Sequence, residues 1–341
     1  MLVSRREFIK GVGVVMGITA IPTRTRAYTS ADLTLTATAS SNPIFAKAKP
    51  DVLTKLWTFN HISPGPMLRF KLGTRVKINL HNTLPQETSI HWHGIRLKNE
   101  MDGVVGLTQP GVQNGEQFLY DFNLPDSGTY WYHSHNKAWE QVARGLYGPL
   151  IVDGPDDPKV DHDLVLMIDD WQLDSGGQIQ EETFGSLRDW AHAGRMGNWV
   201  TVNGKSNPTY PLKPNSRIRF RLINAANARV FELNFTGVNP ITIALDGYPV
   251  RPLENSKITL GPAQRSDLIV DLQKDVSEFE LEVVTKAKPI SVTQFVVDPS
   301  LGQGGRALKE ELITPLRPQP PDASSTSLKI PVHMQGGAMG N

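Results

Sequence analysis

Cysteine is absent from all 341 residues, and neither sign of charge predominates. A chain without cysteine has no disulfide, no thiolate metal ligand and no thiol nucleophile. The 35 lysines and arginines almost balance the 34 aspartates and glutamates, which leaves a formal net charge of +1. This balance gives no electrostatic reason to expect a nucleic acid or an anionic membrane as partner.

The N-terminus carries an apolar run that is too short to span a bilayer, since a spanning helix needs about 20 apolar residues. Arg5 and Arg6 precede this run, which covers residues 11–21, and small residues follow it up to Ala27. The pattern is typical of a twin-arginine export signal. We expect residues 1–27 to be removed on export to the periplasm or the cell exterior, leaving no membrane anchor.

Strand signals dominate the rest of the chain. Polar and apolar residues alternate over 75–80, 118–122 and 217–222, and turn residues separate such segments. A period of two with frequent turns predicts an all-β fold built as an antiparallel sandwich or barrel. We interpret the arginine row at 217, 219 and 221 as a solvated strand face.

An internal repeat divides the chain in two. Residues 71–82 align with 213–224, and the turn-rich stretch at 153–158 lies between the two copies. We therefore expect one domain over 28–153 and a related one over 154–298. Beyond them, residues 299–341 form a Pro-rich linker and one final apolar run.

Two short histidine pairs are the main chemical signal. His91 and His93 form the first histidine pair, and His133 and His135 form the second. Residues i and i+2 of a strand project to the same face, so each pair offers two convergent imidazoles. Imidazole suits copper, zinc, iron and nickel. The alternative is that these are surface pairs without a metal. The other five histidines have no partner at ligand spacing and are interpreted as ordinary surface or packing residues.

The residues around both pairs resemble one family. Ser-Ile-His-Trp-His-Gly at 89–94, Met-Asp-Gly at 101–103 and Thr-Gln-Pro-Gly at 108–111 precede the segments 125–135 and 144–152. In this order they resemble the N-terminal two thirds of a three-domain multicopper oxidase, a family that includes laccases, periplasmic cuprous oxidases and bilirubin oxidases. The resemblance implies tandem cupredoxin-like Greek-key β-sandwiches.

The resemblance also implies roles for individual residues. His91 would bind the type 2 copper, whereas His93, His133 and His135 would bind the type 3 pair. Asp102 would be the acidic residue that helps to deliver protons to oxygen, although Asp-Gly is also a common turn pair. The implied partners are molecular oxygen and a small reducing substrate, such as a phenol or a metal ion.

The sequence departs from the family in its last part. The family's remaining copper ligands, including the cysteine of the type 1 site, belong to a third domain of which residues 299–341 resemble only the beginning. We expect the chain as given to lack oxidase activity, and a mass above 37.7 kDa in its host would identify it as a fragment. The alternative function is a non-enzymatic exported protein that binds copper or serves the cell envelope.

Overall fold

The computed structural model describes residues 31–305 except 47, 188, 190–193 and 255–256, together with 331 and 333. The predicted export signal and nearly all of the predicted final strand lie outside this part of the chain. No helix among the described residues has the length and apolar character needed to cross a bilayer.

Strands are the main regular secondary structure of the described residues. A short helix, α1 (Ala138–Gln141), and 3-10 turns at Asn99–Met101, Glu181–Thr183 and Pro299–Leu301 interrupt them. The described strands are β1 (Ala31–Asn42), β2 (Thr54–Phe59), β3 (Leu68–Lys71), β4 (Arg75–Asn82), β5 (His91–His93), β6 (Gln117–Asn123), β7 (Gly128–His133), β8 (Tyr147–Asp153), β9 (His162–Trp171), β10 (Trp199–Val202), β11 (Thr209–Leu212), β12 (Arg217–Asn224), β13 (Phe231–Phe235), β14 (Ile241–Leu245), β15 (Tyr248–Glu254), β16 (Ile258–Leu260), β17 (Arg265–Asp271), β18 (Glu278–Val283) and β19 (Ile290–Val297).

The first half of the chain forms a two-sheet sandwich. One sheet has the order β2-β1-β4-β6 and the other has the order β3-β8-β7-β5. Apolar residues from both sheets share one core, because period-2 alternation turns Ile78, Tyr120 and Trp92 to the inside. Among the described strands, the histidine-bearing strand β5 is at the edge of its sheet and pairs only with β7.

The second half forms a larger sandwich, with sheets ordered β10-β9-β12-β17-β14-β15 and β11-β19-β18-β13-β16. The predicted repeat is visible in the pairing. Strand β4 lies between a parallel and an antiparallel neighbour, and its counterpart β12 does the same. When the alignment of 71–82 with 213–224 is continued past a small gap, His91 and His93 fall against Phe231 and Leu233, which are fully buried in the second core. The prediction of an all-β fold is confirmed.

The prediction of a solvated arginine face on β12 is wrong. Arg217, Arg219 and Arg221 are all buried, and Arg221 is only 1% exposed. The alternation correctly placed them on one face, but that face meets aspartates of the neighbouring strands. Arg221 is the central case: it contacts Asp163 at 2.7 Å and donates to Thr129 Oγ1 of the first sandwich at 2.9 Å. Burial of these guanidinium groups is tolerated because each one is paired with a carboxylate.

Candidate metal centre

Strands β5 and β7 bring the two histidine pairs together. They run antiparallel, with His91 opposite His133. The period of two turns His91 and His93 to one face and Trp92 into the core, where its ring packs 5.3 Å from that of Tyr120. His135 lies two residues beyond the end of β7, and its ring centroid is 5.3 Å from that of His91. All four predicted ligand residues therefore lie in one cluster.

Three of the four histidines offer tightly convergent nitrogens. One ring nitrogen each of His91, His93 and His133 lies within 4.8 Å of the other two, and this group does not include His135. The closest pair is His93 Nδ1 and His133 Nε2, 3.4 Å apart. Two nitrogens that bind the same metal ion, each at about 2.0 Å, can lie 3.4 Å apart. The spacing is compatible with a shared metal ion.

Carbonyl groups fix the tautomers of two of the predicted ligand residues. His91 Nδ1 donates to the Asp102 carbonyl oxygen at 2.9 Å, and His133 Nδ1 donates to the Ser134 carbonyl oxygen at 2.8 Å. Since a carbonyl oxygen only accepts hydrogen bonds, the ring proton is on Nδ1 and the lone pair is on Nε2. Such outer partners orient metal-binding imidazoles and increase their basicity.

The surroundings of His93, His133 and His135 favour the neutral form of these three imidazoles. Burial, with the nearby charge of Arg265, lowers the pKa of His93 to about 3. Burial also lowers the pKa of His133 well below its usual value and lowers the pKa of His135, and the adjacent histidines add to both effects. Because the charged form is disfavoured, the nitrogen lone pairs stay available for a metal at neutral pH.

A tight turn places Asp102 beside His91. Its carboxylate Oδ1 is 3.2 Å from His91 Nδ1, in addition to the carbonyl contact. Gly103 follows with a φ of +80°, and a Cβ there would lie 1.9 Å from the Ile90 carbonyl oxygen. Ser89 Oγ donates to the Gly103 carbonyl oxygen at 2.6 Å and holds the turn against the start of β5. Asp102 is thus a turn residue whose carboxylate also contacts a predicted ligand.

A buried polar network that the sequence did not indicate supports both histidine pairs. Gln141, which is fully buried in α1, accepts through Oε1 from Thr88 Oγ1 at 2.7 Å and from Ser134 Oγ. Its Nε2 donates to the Glu87 carbonyl oxygen at 2.9 Å. Thr88 precedes the first histidine pair and Ser134 separates the two histidines of the second. One glutamine therefore connects the segments that carry both pairs.

Comparison with known proteins supports a common origin. Two family models described as multicopper oxidase match residues 45–157 and 162–296. A multicopper oxidase of Mycobacterium tuberculosis is 32% identical over 268 residues, which cover 70% of this chain and 52% of the relative. Copper resistance protein A of Pseudomonas syringae pv. tomato is 32% identical over 253 residues, covering 61% of this chain and 41% of the relative. This chain thus spans about half the length of these curated relatives.

Solved structures show the same fold. A multi-copper oxidase from Pseudomonas thermotolerans superposes with a TM-score of 0.73 and 32% identity, covering 82% of this chain and 66% of that one. Lac15 from a marine microbial metagenome gives a TM-score of 0.71 and 36% identity, covering 87% of this chain and 73% of that one. The prediction of tandem cupredoxin-like sandwiches is confirmed, and the chain belongs to the multicopper oxidase family.

Proposed function

We propose that this protein is a copper-dependent oxidoreductase, in which His91, His93, His133 and His135 hold part of an oxygen-reducing copper cluster. The observation that carries this proposal is the convergence of three histidine nitrogens within 4.8 Å. The overall reaction would couple the one-electron oxidation of phenols or metal ions to the reduction of oxygen to water. Relatives named as a multicopper oxidase and as Laccase-2 of Cryptococcus neoformans support this reaction class.

The donor set fits copper. It consists of neutral imidazoles, which bind copper well, and it contains no thiolate. His91 would hold a type 2 copper, and His93, His133 and His135 would hold the type 3 pair. Copper held by these residues would supply reversible one-electron chemistry. The chain contributes ligands of fixed tautomer, a buried setting and a nearby acid.

Asp102 is the proposed source of protons for oxygen reduction. Its carboxylate is 3.2 Å from His91 Nδ1, and its side chain is 34% exposed. It also lines an open cavity of about 890 Å³ together with Lys98 and Asp121. A carboxyl group that contacts both a ligand and solvent can take protons from water and pass them to the site.

Transfer of electrons from the reducing substrate requires a copper site of a different kind from the histidine cluster. A type 1 copper needs a cysteine thiolate, and the 341 residues contain none. We therefore assign to these residues the oxygen-reducing part of the reaction. After copper loading, the chain as given should bind copper but fail to oxidise a phenolic dye.

The N-terminal pattern supports export by the twin-arginine route to the periplasm or the cell exterior. Mass spectrometry of the protein from its host tests this point. A mature N-terminus close to residue 28 is expected, and an intact Arg5-Arg6 segment in the secreted protein would contradict it.

Metal analysis of histidine variants tests the copper site. The chelator-stripped chain is incubated with Cu(II) and desalted, and its copper content is measured by mass spectrometry. The double variant His91→Ala, His133→Ala should lose the bound copper, because each substitution removes a convergent nitrogen. His81→Ala on β4 is the matched control and should retain it. Unchanged copper in the double variant would reject the proposed site, and with it both the oxidase and the copper-binding interpretations.

A further inference from the structure

A second concave site lies between the two sandwiches. It is a cavity of about 580 Å³, a size typical of small-molecule sites. Most of its wall is apolar and comes from both halves of the chain. The apolar lining includes Pro64, Met67 and Pro149 from the first sandwich and Leu164, Val165 and Pro211 from the second. Flat proline rings and a thioether are suitable contacts for an aromatic ring.

A close backbone contact between the two sandwiches lies at the edge of this cavity. Gly204 has a φ of +69°, and a Cβ there would lie 2.0 Å from the Ser63 carbonyl oxygen of the other sandwich. Both Gly204 and Ser63 line the cavity. Since only glycine allows this approach, the two walls of the cavity meet directly at this position.

Two of the polar side chains that line the cavity, His162 and Tyr210, retain a proton that they can donate. His162 Nε2 accepts from the Lys213 backbone N–H at 2.9 Å, so the neutral ring carries its proton on Nδ1. Tyr210 Oη accepts from Asn203 Nδ2 at 2.9 Å and keeps its own proton to donate. Among the described residues, neither the His162 Nδ1–H nor the Tyr210 O–H has an acceptor.

The charge of the cavity is positive. Asp163 is the carboxylate of its lining, and it is neutralised by Arg69 at 2.6 Å and Arg221 at 2.7 Å. Lys205 lines the cavity from an exposed position and forms no ion pair with any described residue. Two free donors and one unpaired ammonium group match a ligand that accepts hydrogen bonds and carries negative charge.

We propose that this cavity between the sandwiches binds a small aromatic carboxylate, with its ring between the prolines and Met67 and its carboxylate toward Lys205, His162 and Tyr210. A single ammonium group matches one carboxylate charge, whereas a phosphate dianion requires more cationic partners. This site is separate from the histidine cluster and does not depend on copper.

The test uses calorimetric titration of the metal-free chain with 2-naphthoate and with the uncharged analogue 2-naphthamide. Lys205→Met removes the charge and retains the aliphatic stem, and Met67→Trp fills the cavity. Lys274→Met, at an exposed position of the same sandwich, is the matched control. Thermal unfolding of each variant verifies that it is folded.

We expect saturable 1:1 binding of 2-naphthoate to the parent chain and to Lys274→Met. Binding should be at least about tenfold weaker for 2-naphthamide and for Lys205→Met, the loss expected when one charged hydrogen bond is removed. It should be abolished in Met67→Trp. Absence of saturation with the parent chain, equal affinity for the amide, or parent-like binding by Lys205→Met and Met67→Trp would each overturn the proposal.

Discussion

At the scale of single residues, the histidine cluster combines a simple spacing rule with contacts that only the folded chain provides. The i, i+2 spacing within each pair is sufficient to predict that two imidazoles share a face. It does not predict that Arg265, more than 100 residues away along the chain, contributes to lowering the pKa of His93. Nor does it single out Gln141, because that side chain reaches the pairs only after α1 folds over them.

Replacing Gln141 should weaken copper binding. Gln141→Leu keeps the approximate volume but removes the acceptor shared by Thr88 and Ser134, so both histidine pairs lose a restraint. We expect copper affinity to fall by about 10- to 100-fold, as for other partners that orient metal ligands. Competition with a chromophoric chelator measures this, and Cu(II) electron paramagnetic resonance should show altered hyperfine coupling.

The control for this substitution is Gln273→Leu on the exposed surface of the second sandwich, which should leave affinity and spectrum unchanged. If Gln141→Leu lowered the melting temperature while copper affinity and spectrum stayed those of the parent chain, Gln141 would be a structural residue alone.

A second residue-scale prediction concerns Asp169. Burial, together with the adjacent Asp170, raises the pKa of Asp169 to about 8, and Tyr147 donates to it at 2.5 Å. A carboxyl group whose pKa is raised in the folded state stabilises the fold at low pH and loses that contribution as pH rises through the folded value. The stability of the metal-free chain relative to Asp169→Asn should therefore decline between about pH 4 and pH 8.

Melting temperatures of both proteins across this range test the point. The histidines contribute equally to both proteins, so their contribution is absent from the difference in melting temperature. A difference that stays constant from acidic to slightly alkaline pH would contradict a raised pKa for Asp169.

At the scale of elements, strands were more predictable than the short connections that shape the site. Alternation predicts β4 and β12 to within two residues at their C-terminal ends. The four-residue helix α1 is too short to show a helical period, and its position depends on packing. The turn at Asp102 and Gly103 was recognisable from its residue types, but its contact with His91 depends on the path of the preceding loop.

Two glycines separate the roles of backbone angle and close packing in this loop. Gly103 and Gly106 have similar φ angles of +80° and +79°, but a Cβ would clash only at Gly103. Gly106→Ala should cost about 1 kcal/mol of unfolding free energy from the backbone angle alone. Gly103→Ala should cost more and should also reduce copper affinity, because the turn that holds Asp102 must move.

Denaturant unfolding and copper titration of the two variants measure these effects. Equal losses of stability, with copper affinity unchanged in both variants, would show that the Gly103 turn has no influence on the site.

At the scale of the whole molecule, buried ion pairs join the two sandwiches. Arg221 contacts Asp163 and Asp267 and reaches Thr129 of the first sandwich, while Arg69 of the first sandwich contacts Asp163 of the second. The sequence could not reveal this arrangement. An alternating arginine row has the same pattern whether its face meets water or another sandwich, and the partner aspartates are remote along the chain.

Removing the guanidinium group of Arg221 should lower the free energy of unfolding strongly. Arg221→Met leaves the buried carboxylate of Asp267 and the partly buried one of Asp163 with fewer partners, so we expect a loss of about 3–5 kcal/mol of unfolding free energy. Arg75→Met removes the exposed pair with Asp121 and should have no measurable effect. Denaturant unfolding distinguishes the two cases, and equal effects would mean that the ion pairs between the sandwiches contribute no more than surface pairs.

Anomalous scattering at the copper absorption edge, from crystals of the chain soaked in Cu(II), tests the proposed copper site most directly. The predicted result is a copper peak bounded by the rings of His91, His93, His133 and His135, which disappears in crystals of the His91→Ala, His133→Ala variant. Copper peaks only elsewhere in the molecule, with none between these four rings, would contradict the assignment of this cluster as a copper site.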